Sequence, residues 1–221
     1  MNQKENNKDL SFKKIFLLFI IFSLIGCLYE DIYFMIKKYI KYGTWKFVTK
    51  RGLLYFELSP IYGVGACIII YLLSIRNNKK FDYFWKGALI GGIFEYIASI
   101  IQQFFTETIS WDYSNYFLNI NGRTTIPYMI FWGIISYLLM TKIYPSISKQ
   151  LKKIPKKIET TFFWITLIII ILDIFISFTA CVRMGQRHKG YKPLTEYGEF
   201  LDKVYNDERI YQSYTNMRDK K

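Results

Sequence analysis

Residues 15–29 and 160–172 run without a single charge, and the charged residues collect between such apolar runs. A buried strand needs about 4–8 residues, whereas a helix needs about 20 to cross a hydrocarbon core of about 30 Å. These runs therefore predict helices that span a membrane. Five are expected, over residues 12–36, 60–75, 83–105, 126–144 and 160–182. The fold class is all-α, a polytopic integral membrane protein with a bundle of about five transmembrane helices. Residues 1–11 form a polar N-terminal tail, 12–182 the helix bundle, and 183–221 a polar C-terminal tail. In that tail Leu194, Tyr197, Leu201 and Val204 recur at helical spacing, which predicts an amphipathic helix. The apolar stretch 51–59 ahead of the short second span is expected to dip into the membrane, lined by protein.

Charge changes the picture less than its size suggests. Lys and Arg number 30 against 17 Asp and Glu, a formal charge of +13. In a soluble chain that excess would point to nucleic acid. Here the basic residues flank apolar runs, where they fix topology and touch lipid headgroups. No zinc-finger spacing or RNA-binding signature accompanies them. The bilayer is the expected partner, nucleic acid is not, and a soluble enzyme is excluded. Basic residues divide almost evenly between the two sides, so the short loops decide orientation. Loops 76–86 and 142–157 are densely basic, whereas 105–125 holds only Arg123. This places the N-terminus inside and the C-terminus outside.

Cys27, Cys67 and Cys181 are far apart, without a CxxC, and His188 is the sole histidine. No disulfide framework, metal site or cofactor is expected. Leu24-Ile25-Gly26-Cys27 mimics a lipoprotein signal, but Leu28-Tyr29-Glu30 follows instead of a polar tether. The Cys is read as part of a spanning helix.

Two carboxylates stand where they are costly. Glu95 and Asp173 fall near the middle of their spans, where a charge costs about 2.5–3.5 kcal/mol on insertion scales. Gly87, Gly91, Glu95, Ser99 and Gln103 recur every fourth residue and make one small-and-polar stripe. Thr166, Asp173, Ser177 and Ala180 make a second, and Ser23, Gly26 and Glu30 a third. Such stripes either line a path for substrate, ion or proton, or join helices by hydrogen bonds. Arg51, Arg123, Arg183 and Arg187 near helix ends suit an anionic group, or serve as partners for Glu30, Glu107 and Asp112. No Walker A, HExxH or GxSxG motif is present, so no catalytic residue is assigned.

Several local patterns then occur in order. Gly26-Cys27-Leu28-Tyr29-Glu30 is followed by Arg51-Gly52-Leu53-Leu54 and Pro60-Ile61-Tyr62-Gly63-Val64-Gly65. After Glu95-Tyr96 come Trp111-Asp112-Tyr113-Ser114, Asn119-Ile120-Asn121-Gly122-Arg123 and Trp132-Gly133. This order resembles the CmpB-type family of small bacterial membrane proteins, grouped with the type IV ABC transporters. One departure is Tyr55-Phe56-Glu57-Leu58-Ser59, where the family more often has a Gly-Pro-containing stretch.

The resemblance implies a permease-like subunit of the bacterial cell membrane, served by an ATPase on a separate chain. At this length a second copy or a partner permease is also expected. Glu95, Asp173, Glu30, Ser99 and Ser177 would form its path or buried polar site. Arg51, Pro60, Tyr62, Gly63, Trp111, Asp112, Tyr113, Asn119 and Arg123 would form its mouth or lid. Two other readings stand beside it. One is a non-transporting scaffold, sensor or regulator. The other is an intramembrane lipid-modifying enzyme using Glu95 or Asp173, with arginines on the headgroup phosphate.

Overall fold

The computed structural model describes residues 10–45, 51–75 and 78–219. Five apolar helices dominate it. Helix α1 (Phe12–Tyr42) starts at Ser11, whose hydroxyl accepts the Lys14 amide, and stops at Gly43, which takes the left-handed backbone a helix end needs. Helix α2 (Pro60–Ile75) opens on a proline, whose missing N–H costs nothing in a first turn. Helix α3 (Lys80–Thr106) is capped by the Asp82 carboxylate on the Lys79 amide. Helix α4 (Ile126–Leu138) is capped by Thr125 and widens into a π turn at Leu139–Ile143 before α5 (Tyr144–Leu151). Pro145 lacks the N–H that an α-helical ladder would use there, which explains the widened turn. Helix α6 (Lys156–His188) is the longest, at 33 residues.

Four of these units, α1, α3, α4 to α5, and α6, are long and apolar enough to cross a membrane. The remaining one, α2, has 16 residues, about 24 Å at about 1.5 Å per residue, and falls short of a full span. By the same arithmetic the 31 residues of α1 reach about 46 Å, more than a bilayer core needs. The outward faces of the spans are apolar, with Leu24, Ile93, Ile97, Ile134, Ile165 and Ile168 exposed.

Helices α1 and α2, and likewise α3 and α4, run antiparallel and close. A Cβ at Gly91 would overlap the Trp132 ring, and one at Gly63 would overlap Ser23 Oγ and lie 2.6 Å from the Phe19 carbonyl oxygen. Glycine at these two positions is what lets α3 meet α4 and α1 meet α2. One buried cluster joins α1, α2, α3 and the π turn through Leu18, Ile69, Leu73, Tyr83 and Leu139.

The two ends of the bundle differ. At the basic end Lys13 Nζ donates to Thr160 Oγ1 (2.9 Å) and the buried Lys14 Nζ to Ser148 Oγ (2.8 Å), so α1, α5 and α6 start or finish level there. Toward the other end lie the 51–59 segment, set below the ends of α1 and α6, the 107–125 loop and the C-terminal segment. The loop contains a hairpin of β1 (Asn119–Ile120) and β2 (Thr124–Thr125). Its turn residues Asn121 and Gly122 both have positive φ (52° and 68°), the conformation that a tight hairpin turn selects. The C-terminal segment forms α7 (Glu196–Val204) and α8 (Asp207–Ser213), then pairs Arg218–Asp219 antiparallel with Thr108–Ile109. Leu201, Tyr205, Ile210 and Tyr214 bury against Ala180 and Met184 of α6. Leu194 precedes the α7 cap and is exposed.

Candidate functional site

The polar stripe of α3 is where the 107–125 loop sits. Glu95 Oε1 accepts from the Tyr113 hydroxyl (3.0 Å) and Oε2 from Thr124 Oγ1 (2.7 Å). One and two turns further along, Arg123 donates to Ser99 Oγ (2.9 Å) and to Gln103 Oε1 (2.5 Å). Burial and the facing Glu95 carboxylate push the Tyr113 phenol well above its ordinary range, so it stays a hydrogen donor. Its ring stacks on Tyr128, 4.7 Å between centroids.

The loop is also braced from within. Trp111 Nε1 donates to the Arg123 carbonyl (2.9 Å). Asn119 accepts from the Gly122 amide and donates to the Ser114 and Tyr116 carbonyls. Asp112 accepts from the amide and hydroxyl of Ser114. Its cationic neighbour is Arg218 (3.3 Å), not Arg123.

A second carboxylate holds the second segment. Asp173 Oδ2 accepts from the Phe56 amide (3.0 Å), and Oδ1 from the Tyr55 amide (3.3 Å) and Ser177 Oγ (3.0 Å). Ser177 Oγ in turn accepts from the Leu54 amide (2.9 Å). On the opposite side the Ser59 amide donates to the Ser23 carbonyl of α1 (3.0 Å). Non-helical backbone survives at membrane depth only where protein satisfies its N–H groups. These contacts provide that for Leu54, Tyr55, Phe56 and Ser59.

Of the other predicted residues, Glu30 accepts from the Tyr62 hydroxyl (3.0 Å), Pro60 opens α2, and Gly63 is pressed against α1. Arg51 faces Glu57 at 3.5 Å. Among the described residues Glu95 and Asp173 share no hydrogen-bond partner, so these two carboxylates form separate nodes.

A third node at the end of α6 went unrecognised as a unit in the sequence. Buried Arg183 binds Asp202 through two hydrogen bonds of 2.9 Å each, and Arg187 joins Asp202 (2.6 Å) to Asp207. Both ring nitrogens of His188 face carboxylates, Asp207 at 3.0 Å and Asp219 at 3.2 Å. Two arginines four residues apart at a helix end were its signal, but their acids lie 15 or more residues further on.

The hydrogen bonds from Arg183 and Arg187 hold the Asp202 carboxyl below its ordinary range. A depressed carboxyl contributes stability that is present above the unfolded value of about 4 and is lost as pH falls through the folded one. The C-terminal segment should therefore stay seated from neutral pH to about pH 4 and loosen below it. Limited proteolysis between α6 and α7 across that range checks this. Asp202→Asn should give at neutral pH the cleavage that wild type shows in acid.

Among the described residues no group of His, Cys, Asp and Glu is arranged to hold a metal ion. The fold and its nodes define a polytopic helical membrane protein with one end of the bundle covered by loops seated on buried carboxylates. The chain belongs to the family described as "Putative ABC-transporter type IV", whose model matches residues 17–178. That match takes in the Glu95 and Asp173 nodes and stops short of Arg183. No curated protein and no solved structure matches the chain.

Proposed function

We propose that this chain is the permease-like membrane subunit of an ABC-type transport system, with the ATPase on a separate chain and the basic end of the bundle in the cytoplasm. The observation that carries the reading is the asymmetry of the two ends. Three segments distant in sequence cover one end: 51–59 is seated on Asp173, 107–125 on Glu95, and the C-terminal segment on Arg183 and Arg187. At the basic end α5 and α6 are joined by a short connection, residues 152–155, and on this reading the ATPase docks there. On this reading the covered end is the outer mouth, with Arg51, Tyr62, Trp111, Asp112, Tyr113, Asn119 and Arg123 in its lid. The path would run beside Glu30, Ser99 and Ser177. A second copy or a partner permease completes the passage on this reading.

A second reading, a non-transporting scaffold or regulator, draws on a specific observation. Both intramembrane carboxylates spend their acceptor capacity on their own chain. Purification of the tagged full chain from its native membrane in mild detergent separates the two. The transport reading expects a P-loop ATPase at stoichiometric level. Recovery of the chain with itself alone contradicts that reading and leaves the scaffold.

A further inference from the structure

A groove of about 520 Å³ opens sideways between α1 and α6. Its walls are Ile20 and Leu24 of α1 and Ile169 and Ile170 of α6, and Arg51 and Glu57 stand in its lining. Its depth follows from the helices. Lys13 and Thr160 are level, joined by a hydrogen bond of 2.9 Å. Ser23, which binds the Ser59 amide, is about 15 Å above Lys13, and Asp173, which binds Tyr55 and Phe56, about 20 Å above Thr160, at about 1.5 Å per residue. The 51–59 segment therefore sits half to two-thirds of the way across a core of about 30 Å.

At that depth Arg51 and Glu57 are 35% and 56% exposed, with 3.5 Å between their nearest charged atoms. A charge-assisted bond closes to about 2.7–2.9 Å, so this pair is loose and most of the five guanidinium donors are unspent on it. A loose, exposed ion pair among acyl chains is costly. The occupant of the groove must therefore be polar at one end and apolar along its length.

We propose that the groove is a lipid site that takes a phospholipid with a phosphoethanolamine headgroup. The lipid phosphate binds Arg51, its ammonium binds Glu57, and one acyl chain lies along Ile20, Leu24, Ile169 and Ile170. Charge selects this head. Arg51 and Glu57 together are neutral, as is the dipolar headgroup. A purely anionic head would leave Glu57 facing a phosphate, and a choline head has no N–H to give a carboxylate. The second groove, between α1 and α2, is lined by apolar side chains such as Phe19, Val64 and Ile68 and offers no comparable anchor for a head. The site stands whether or not the chain transports.

The test places the full chain in nanodiscs of equal phosphatidylethanolamine, phosphatidylglycerol and phosphatidylcholine, extracts it in mild detergent and quantifies the retained lipid by mass spectrometry. Wild type should retain phosphatidylethanolamine at least about fivefold over either competitor. Glu57→Gln should shift the preference to phosphatidylglycerol, since the phosphate keeps Arg51 and the ammonium loses its partner. Arg51→Gln should abolish retention, and if that variant does not accumulate, the wild-type and Glu57→Gln results decide. No enrichment in wild type, or enrichment that Glu57→Gln leaves unchanged, overturns the proposal. So does a cross-link from Ile169→Cys to a second copy with no lipid retained, because the groove would then hold protein.

Discussion

Asp173→Leu is expected to leave little folded protein in the membrane. The leucine removes the acceptor of the Tyr55 and Phe56 amides at a depth where water cannot replace it. Each unsatisfied backbone group in hydrocarbon costs several kcal/mol, and the gain from deleting a buried carboxylate, about 2.5–3.5 kcal/mol, offsets only part of that. A net loss of about 3–5 kcal/mol is a large share of the stability of a domain this size. Asp173→Asn keeps one carbonyl acceptor and should cost about half as much. Size-exclusion chromatography of the detergent-extracted protein, with thermal melts of each variant, measures both effects. An Asp173→Leu protein that accumulates and melts like wild type would show that Ser177 and the Ser23 carbonyl suffice to hold the segment.

Glu95→Leu should act on a different part of the molecule. Tyr113 and Thr124 lose their shared acceptor, at about 1–3 kcal/mol for each donor left buried without one. The losses are not additive, because the 107–125 loop can lift and let water in. The expected outcome is a loop released while the bundle persists. A cysteine at Thr108, buried while the loop is docked, should label at least about tenfold faster in this background, the equivalent of about 1.4 kcal/mol of lost docking. Glu95→Gln, with one acceptor kept, should fall between wild type and leucine. Equal labelling in all three would mean that Arg123, through Ser99 and Gln103, seats the loop alone. The two carboxylates should also be independent of each other, since they share no partner.

Much of this molecule was legible in order of locality. The uncharged runs disclosed the spans, because a helix in lipid satisfies its own backbone and its side chains need only be apolar. The four-residue spacing from Gly87 to Gln103 discloses which face of α3 is buried. What escaped depends on partners far along the chain. Asp173 meets backbone amides 117 and 118 residues away, and no pattern around either predicts that meeting. By sequence Arg123 suits Asp112 as a counter-charge, but a short Asx turn takes up that carboxylate and Arg218 comes from the other end of the sequence. The shortness of α2 was visible, since Pro60 fixes its start. Its consequence was only half visible: α2 opens level with Ser23, deep beside α1, because the 51–59 segment has already carried the chain down.

Buried side chains hold the non-helical backbone of residues 54–56 deep within the bundle. Hydrogen exchange of the wild-type full chain in nanodiscs tests this most directly. Amides of Leu54, Tyr55 and Phe56 should be protected to the level of the α1 and α6 interiors, because each donates to Asp173 or Ser177. Exchange of those amides within seconds, at the rate of an open loop, would contradict the account.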